Sequence, residues 1–363
     1  MTVIPPGPLL SPVDWAAVRA RVERALADFL ARQRTRLAGI DPALEPVADA
    51  VTAFVLGGGK RLRPAFAYWG YRGAGGADSD AVLATLAALE LVQASALIHD
   101  DVIDASDTRR GEPAVHRRFA GRHAAQGWHG SAAEFGNSAA LLLGDLCLVW
   151  SDEMLHTGGL DAGTLARARP VFDEMRTEVT AGQYLDVLAQ ATGDTSTELA
   201  SKVACYKSAK YTVERPLLIG AALAGAPAEV TDAYSAYGLR LGEAFQLRDD
   251  VLGVFGEPAA TGKPAGDDLR EGKRTFLVAA AFEAADPAQR AELTARLGDP
   301  TLDQAGVARL REIITATGAL ARTEHRIVEL TEAARRALDG VALDGEARGA
   351  LRELAQAATH RRR

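Results

Sequence analysis

Apolar residues recur at spacings of three and four along most of the chain, and arginine and glutamate fill many positions between them. This spacing matches the turn of an amphipathic α-helix. Alternating β-branched stretches bounded by tight hairpin turns, which would indicate a sheet, are absent. The pattern predicts an all-α protein with helices over 13–38, 41–56, 61–73, 78–104, 137–157, 161–190, 197–224, 228–254, 270–285, 303–317, 320–339 and 343–359.

The breaks between these helices are rich in glycine, proline and helix-capping residues. The longest are GRHAAQGWHGSAAEFG at 121–136 and GEPAATGKPAGDD at 256–268. A large helical enzyme of this length can still form one core. We therefore expect a flexible segment at 1–12, a single domain over 13–359 built as one large helical bundle around a central substrate cavity, and a basic tail at 360–363.

Composition narrows the possible functions. Hydrophobic residues make up 48% and charged residues 25% of the chain, which is typical of a soluble globular protein. The net charge of −7 argues against nucleic-acid binding. Cys147 and Cys205 lack the spacing of a disulfide framework or zinc site, so we expect a reduced, cytoplasmic location. We also expect no signal peptide and no membrane span, because no long uncharged apolar run is present.

Two groups of aspartates lie far apart in the chain. The first is Asp100, Asp101 and Asp104, and the second is Asp249 and Asp250. Positions i and i+4 share one helix face, so Asp100 and Asp104 can hold the same hard cation through oxygen ligands. An acidic triplet alone is more often a solvated helix face or a cap. At the C-terminal end of a helix over 78–104, however, these side chains would point into a cavity between helices.

Basic residues accompany both acidic groups. Lys60 and Arg63 follow three glycines in GGGKRLRP, where backbone amides can approach a phosphate. Arg109 and Arg110 come directly after the first acidic group, and Lys263 and the run GKRT at 272–275 come after the second. The glycine run alone is more typical of a helix end with surface cations. Its combination with the interleaved acids favours two facing magnesium-diphosphate clamps.

Six segments in order carry a resemblance to a known family: GGGKRLRP, HDDVIDASDTRRGEP, LLLGDL, GQYLD, YKSAK and FQLRDDVLGVFG. They resemble the trans-isoprenyl diphosphate synthases over residues 54–280, most closely the short-chain geranylgeranyl diphosphate synthases. The resemblance implies the isoprenoid synthase type of helical bundle, a homodimer, and isopentenyl and allylic diphosphates as substrates. It also implies Mg²⁺ as the cofactor, with three ions per active site, and Mn²⁺ as a substitute.

The implied reaction is head-to-tail chain elongation. An allylic diphosphate ionises, the double bond of isopentenyl diphosphate attacks the allylic cation, and a proton is lost. The difficult step is the release of pyrophosphate, and magnesium ions with lysine and arginine side chains stabilise its growing negative charge. No side-chain nucleophile is needed.

The matching positions imply a role for each site residue. The metal ligands would be Asp100, Asp104 and Asp249, supported by Asp101 and Asp250. The allylic diphosphate would be held by Arg109, Lys207 and Lys263, and these with the three ligands would be the catalytic residues. Isopentenyl diphosphate would be bound by Lys60, Arg63, Arg110 and Gln93. Residues around the reacting carbons would be Gln183, Asp186, Ser208, Phe245 and Gln246.

Two positions depart from the family pattern. Gly253 stands where many relatives have a third aspartate in the second acidic group, so DDVLG lacks the distal carboxylate. We expect weaker metal binding by the second group. Ser208 stands where threonine is common, and its hydroxyl is retained.

The length of the product depends on the depth of the pocket. Ala96, Ser95 and Val92 precede Asp100 by four, five and eight positions, which places them about 6 to 12 Å from the metals along the helix. In the resembling family, bulky aromatic residues at the first two positions stop growth at fifteen carbons. Here both are small, whereas Val92 and Leu89 are larger. We expect geranylgeranyl diphosphate, with a farnesyl or a longer product as the alternatives.

Two other functions are less well supported. A terpene cyclase needs a second metal motif of Asn or Asp, Ser or Thr, and Glu, but Asn137 is the only asparagine and has Leu141 at i+4. A non-catalytic subunit of a heteromeric synthase usually loses the first aspartates, which are intact here.

The histidines near the first acidic group are not assigned to the site. His99 points away from the face shared by Asp100 and Asp104, so we expect it to have a packing or hydrogen-bonding role. For His116, His123 and His129 we expect exposed or capping positions.

Overall fold

The computed structural model describes residues 15–256 and 266–359, and in this part of the chain helices dominate, which confirms the all-α prediction. The predicted tails at 1–12 and 360–363 lie outside the described residues, as does Lys263. The first half contains α1 (Trp15–Ile40), a 3₁₀ turn (Pro42–Leu44), α2 (Glu45–Leu56), α3 (Leu62–Gly73), α4 (Asp80–Leu86), α5 (Ala88–Ile103), β1 (Thr108–Arg109), β2 (Glu112–Pro113), α6 (Val115–Ala125) and α7 (Ala132–Thr157). The second half contains α8 (Ala162–Thr192), α9 (Thr197–Val203), a π-helical segment (Ala204–Glu214), α10 (Arg215–Ala224), α11 (Ala228–Phe255), α12 (Asp267–Arg270), α13 (Phe276–Ala284), α14 (Pro287–Arg296), α15 (Gln304–Ala316), α16 (Ala319–Ala337) and α17 (Gly345–Thr359).

Helix starts follow the capping residues in the sequence. The Ser79 hydroxyl accepts a hydrogen bond from the Val82 amide at the start of α4, and the Asp161 carboxylate accepts one from the Thr164 amide at the start of α8. Each cap satisfies a backbone donor that has no partner inside the helix. The end of α8 is marked by Gly193, whose φ of 66° favours glycine.

Two helices were not predicted. α14 begins with a capping box in which Asp286 and Gln289 bond each other's backbone amides, and Pro287 occupies its first turn. These signals were readable in the sequence. α6 carries several charged residues and Gly121, so its apolar pattern is weak.

Most predicted helices shift by one or two residues, the helix over 137–157 begins earlier, at Ala132, and three predicted helices are divided. The helix over 78–104 is interrupted at Ala87, where neither glycine nor proline marks the break. The helix over 197–224 contains α9, the π-helical segment and α10, and the helix over 270–285 is replaced by α12 and α13. A small antiparallel hairpin, in which Thr108 pairs with Pro113, also adds two strands to the all-α prediction.

The core fixes the helices that carry the site. α5 packs against α7, α3 against α10, and α11 against α16 and the π-helical segment. Phe66, Leu89, Phe172, Tyr234 and Tyr237 are almost completely buried. Each buried aliphatic or aromatic side chain contributes about 1.5–3 kcal/mol relative to exposure, so this packing holds α5 and α11 in place.

The π-helical segment is held closely between α8 and α11 by two glycines. A methyl group on Gly182 would lie 2.4 Å from the Lys207 backbone nitrogen, and one on Gly242 would lie 2.4 Å from Ala209 Cα. Only glycine permits backbones to approach this closely. Single π turns occur often at functional sites, and this segment places Lys207 and Ser208 beside a cavity.

The outer face of α7 leaves apolar side chains exposed. Leu142 and Val149 are 63% and 64% exposed, and Tyr184 of the adjacent α8 is 67% exposed. Among the described residues, α7 and the stretch Asp80–Ile103 are long and apolar enough to span a membrane, and the second of these is mostly buried. That the protein has no membrane span stays a prediction.

The histidines divide into two groups. His99 Nε2 lies 3.1 Å from the Leu141 carbonyl oxygen, which confirms its hydrogen-bonding role. Of the three histidines expected at exposed or capping positions, His129 is exposed, whereas His116 and His123 are buried. They lie on the unpredicted helix α6, and His123 packs against the aromatic ring of Trp128.

Candidate active site

A cavity of about 670 Å³ opens between α5, α8, the π-helical segment and α11. Its volume is typical of a small-molecule site. Many of the predicted site residues line it together, from segments far apart in the chain. They are Lys60, Arg63, Gln93, Ala96, Asp100, Arg109, Gln183, Asp186, Lys207, Ser208, Phe245, Gln246, Asp249 and Asp250.

Asp100 stands at the centre of the first acidic wall. Its Oδ1 accepts hydrogen bonds from Gln183 Nε2 at 2.9 Å and from Lys207 Nζ at 3.2 Å. Lys207 Nζ also lies 2.6 Å from Asp186 Oδ2. Burial would raise the pKa of Asp100, but Lys207, Lys273 and Arg109 lower it below its usual value. This wall therefore presents an ionised carboxylate beside a charged lysine.

Asp104 lies one turn further along and is paired with a residue that sequence reasoning left without a role. Lys273 Nζ lies 3.3 Å from Asp104 Oδ2 and 2.7 Å from Glu271 Oε2. Burial and the nearby charge of Asp100 raise the pKa of Asp104 to about 6. Lys273 belongs to the basic run GKRT, which was noted in the sequence, but its approach to Asp104 depends on the tertiary fold.

Asp101 does not line the cavity. Its side chain is buried and forms a close ion pair with Arg109, whose Nε donates to Asp101 Oδ1 at 2.9 Å. Burial would lower the pKa of Arg109, but the bond to Asp101 raises it. Asp101 therefore positions Arg109 toward the cavity, and its predicted part in supporting the metal ligands stays a prediction.

The second acidic wall is formed by α11. Asp250 Oδ1 accepts a hydrogen bond from Gln246 Nε2 at 2.7 Å. Burial, with the nearby charges of Asp268 and Asp249, raises the pKa of Asp250 to about 8. Asp249 is less buried than Asp250, so Asp249 is the better candidate for metal binding on this wall, and Asp250 for a supporting role.

These residues fit a site in which protein carboxylates and the phosphates of a substrate bind the same divalent ion. Among the described residues, no three Asp, Glu, His or Cys side chains converge on one ion position. Magnesium in phosphate sites is commonly held by one or two carboxylates, with substrate phosphates and water as the other ligands. The two walls, with Asp100 and Asp249 facing one cavity, match this type of site.

A third group of cations lies near the glycine run. Arg63 Nη2 donates to Thr212 Oγ1 at 2.8 Å, and its guanidinium lies 4.2 Å from the centre of the Tyr211 ring. Tyr211 in turn donates to Gln93 Oε1 at 3.0 Å. These contacts leave Arg63 fixed at the cavity wall, with the exposed Lys60 nearby.

Arg110 does not reach the cavity. Its Nη1 donates to the Gly58 carbonyl oxygen at 3.1 Å. Gly58 and Gly59 have φ values of 105° and 116°, which favour glycine. Arg110 therefore braces the glycine turn, and its contact with a diphosphate stays a prediction.

Of the four residues predicted to limit chain length, only Ala96 lines the cavity. Leu89, Val92 and Ser95 are buried at 1%, 2% and 4% exposure and pack in the core. The physical reason is the helix turn: Ala96 shares the face of Asp100, whereas Ser95 is turned away from it. The wall on α5 is completed by Gln93 and Leu97.

Known proteins resemble this chain in sequence and in fold. The structure is similar to that of geranylgeranyl pyrophosphate synthase from Corynebacterium glutamicum, complexed with isoprenyl diphosphate and magnesium, at a TM-score of 0.93 and 44% identity, covering 96% of this chain and 100% of that chain. The sequence is 32% identical to geranylfarnesyl diphosphate synthase of Aeropyrum pernix over 332 residues, which are 90% of this chain and 95% of the relative. It is 35% identical to (2E,6E)-farnesyl diphosphate synthase of Mycobacterium bovis over 220 residues, which are 61% of this chain and 56% of the relative. Residues 45–314 match the polyprenyl synthetase family, and the chain therefore belongs to it.

Proposed function

We propose that the protein condenses isopentenyl diphosphate with allylic diphosphates head to tail, depends on magnesium, and makes geranylgeranyl diphosphate. Trans-prenyl diphosphate synthesis is supported by the family match. The observation that carries the proposal is the pair of acidic walls, with Asp100 and Asp249 lining one cavity together with Lys207 and Arg109. Three magnesium ions per active site belong to this proposal.

The metal and the side chains that line the cavity have distinct roles in the proposed reaction. Magnesium, when bound, neutralises the charge that develops on the departing pyrophosphate. Arg109 and Lys207 hold the allylic diphosphate from the first wall, where fixed cations stabilise the leaving group without reorganisation. Arg63 and Lys60, which line the same cavity, bind isopentenyl diphosphate in this proposal. Gln183, which donates to Asp100, and Ser208 also line the cavity, and the proposal assigns them to the surroundings of the reacting carbons.

The product length is supported by one small residue and one relative. Ala96 lies one turn from Asp100 on the cavity wall, and its small side chain adds no bulky barrier to a growing tail there. The similar structure from Corynebacterium glutamicum is a geranylgeranyl pyrophosphate synthase. The relatives from Mycobacterium bovis and Aeropyrum pernix carry names for a shorter and a longer product.

The experiment that tests the proposal is a product assay. The purified protein receives Mg²⁺, isopentenyl diphosphate and a dimethylallyl, geranyl or farnesyl diphosphate primer, and the dephosphorylated prenols are identified. We expect a twenty-carbon alcohol from each primer and no elongation after chelation of the metal. Absence of elongation from all three primers would refute the proposed reaction, and a different main alcohol would refute only the product length.

Replacing Ala96 with phenylalanine is expected to shorten the product. A phenyl ring at this position fills the cavity one turn below Asp100, so the tail has no room beyond fifteen carbons. The measurement is the ratio of fifteen- to twenty-carbon alcohols, which we expect to reverse in favour of fifteen.

Ser95 provides a matched control for this substitution. Ser95→Phe adds the same ring to the neighbouring position, but Ser95 is buried in the core and does not line the cavity. We expect overpacking, with a lower melting temperature and little change in product length. A product shortened by Ser95→Phe and unchanged by Ala96→Phe would contradict this assignment of the wall.

We further propose a homodimer formed through the outer faces of α7 and α8. Leu142, Leu148 and Val149 of α7 are exposed beside Tyr184 of α8. Exposed apolar patches of this kind mark interaction surfaces. In a two-fold symmetric dimer, the patch of one copy packs against the same patch of the second copy. The resemblance to the isoprenyl diphosphate synthases supports a second copy of this chain as the occupant.

Leu142→Glu is expected to convert this dimer into a monomer. A carboxylate at the centre of the face would be buried without a partner in the dimer. The measurement is molar mass by light scattering during size exclusion. Val328→Glu is the control, because Val328 is a 59% exposed apolar residue on α16 and lies on neither proposed helix. Equal masses for the two variants would refute this interface.

A further inference from the structure

The basic run at 272–275 contains a cavity residue that has no role in the proposed reaction. Arg274 lines the cavity next to Lys273, between α12 and α13. The two cations differ in their surroundings. Lys273 Nζ lies 3.3 Å from Asp104 Oδ2 and 2.7 Å from Glu271 Oε2. Within 15–256 and 266–359, by contrast, no carboxylate forms an ion pair with Arg274.

The guanidinium of Arg274 is partly buried. Its Nε atom is shielded from water and has no hydrogen-bond acceptor among the described residues. The guanidinium carbon lies 5.7 Å from the centre of the Phe282 ring, near the outer limit for an attraction between a cation and a ring. Burial lowers the pKa of Arg274, yet a guanidinium stays charged at neutral pH. Because burial of an unpaired charge is unfavourable, this position of Arg274 opposes folding.

The start of α13 adds to this effect. α13 begins two residues after Arg274, and Thr275 caps it by accepting a hydrogen bond from the Val278 amide. The N-terminal end of a helix carries a partial positive charge, so a cation beside it is unfavourable. An anion bound by Arg274 would compensate both charges. The cavity gives an anion access to this place, because Thr275 and Phe276 line it as well.

We propose that Arg274 binds a diphosphate group of the substrates on the α13 side of the cavity. The inference rests on the proposed function, in which both substrates carry a diphosphate. A guanidinium can donate two parallel hydrogen bonds to phosphate oxygens, and such charge-assisted bonds are strong. Lys273 is already engaged by Asp104 and Glu271, so Arg274 is the better placed of the two cations to receive a diphosphate.

Binding of inorganic diphosphate tests the inference without an activity readout. Isothermal titration calorimetry measures the Kd of the full chain for inorganic diphosphate in the presence of Mg²⁺. We expect Arg274→Gln to raise this Kd by about tenfold, the usual effect of losing a hydrogen bond from a charged group. Arg274→Lys keeps the charge, and we expect a Kd within about threefold of the wild type.

Arg290 provides a matched control. Its guanidinium carbon lies 5.9 Å from the centre of the same Phe282 ring, but Arg290 belongs to α14 and does not line the cavity. Arg290→Gln therefore removes a cation from the same ring without touching the proposed diphosphate contact. We expect its Kd for inorganic diphosphate to equal that of the wild type.

Steady-state kinetics identifies the substrate whose diphosphate Arg274 binds. We expect Arg274→Gln to raise KM by about tenfold for the allylic or the isopentenyl diphosphate and to change kcat by less than about threefold. A contact made equally in the ground state and the transition state alters KM alone, whereas damage to the fold lowers kcat as well. The substrate with the raised KM is the one that contacts Arg274.

The outcomes separate the inference from the proposed function. Equal Kd values for Arg274→Gln and the wild type, or an equal rise in Arg274→Gln and Arg290→Gln, would overturn the inference alone. A wild-type protein that binds no diphosphate in the presence of Mg²⁺ would overturn the proposed function and the inference together. Circular dichroism monitors folding. If Arg274→Gln fails to fold, Arg274→Met decides, because it removes the charge and keeps an apolar contact with Phe282.

Discussion

Asp100→Asn is expected to lower kcat by about a thousandfold, or ~4 kcal/mol of transition-state stabilisation. The substitution keeps the shape of the side chain and removes its charge. Asp100 Oδ1 accepts hydrogen bonds from Gln183 Nε2 at 2.9 Å and Lys207 Nζ at 3.2 Å. It therefore joins the proposed metal site to the cation proposed to hold the leaving group. Both contacts lose their charged acceptor in the variant.

The measurement is the rate of a single turnover from farnesyl diphosphate at saturating isopentenyl diphosphate and Mg²⁺. This design separates the chemical step from product release. Asp28→Asn provides the control, because Asp28 is an exposed aspartate on α1. A loss below about tenfold in Asp100→Asn would be too small for a group that stabilises the leaving pyrophosphate, and would contradict the proposed role.

Much of the first wall follows from helix geometry. Each residue turns the helix by about 100°, so Asp100, Asp104 and Ala96 share a face, and the structure places Asp100 and Ala96 at the cavity. The same rule turns Asp101 and Ser95 away, as the structure shows. The predicted role of Asp101 followed the family pattern, and that of Ser95 followed the family pattern and the rise along the helix without its turn.

Contacts between distant segments were not readable from the sequence. Lys273 reaches Asp104 only because α12 and the following turn fold against α5 and α11. The Asp268 carboxylate lies over Gly253 for the same reason. The π-helical segment has no simple sequence signature, since its register depends on the close approach of Gly182 and other neighbours.

Glu90→Ala is expected to destabilise the fold by about 3–5 kcal/mol, the usual effect of removing one partner of a buried ion pair. Glu90 Oε2 lies 2.8 Å from Arg61 Nη1, and the two side chains are only 6% and 1% exposed. Arg61 Nη2 also donates to the Val55 carbonyl oxygen at 2.8 Å. Without Glu90, a buried guanidinium remains with Glu23, at 3.5 Å, as its nearest carboxylate.

The free energy of unfolding is measured by urea denaturation with two probes, far-ultraviolet circular dichroism and tryptophan fluorescence. Glu198→Ala is a matched control. Glu198 also pairs at 2.8 Å with a cation, Lys202, but these side chains are 80% and 57% exposed. Exposed pairs contribute about 0–1 kcal/mol, so only burial distinguishes the two substitutions. If both substitutions lowered the free energy of unfolding equally, burial of the ion pair between Arg61 and Glu90 would add nothing to stability.

The ion pair between Arg61 and Glu90 also affects the candidate active site, because Arg61 is next to Lys60 in the chain. Arg61 has a φ of 51°, an unfavourable value for a residue with a side chain, and it follows Lys60 directly at the end of the glycine turn. Glu90 on α5 holds Arg61 in this conformation and thereby orients Lys60 toward the cavity. We therefore expect Glu90→Ala to raise KM for isopentenyl diphosphate more than KM for the allylic substrate. An equal rise in both would assign Glu90 to general stability, because Arg109 and Lys207, the proposed contacts of the allylic diphosphate, lie on the other wall.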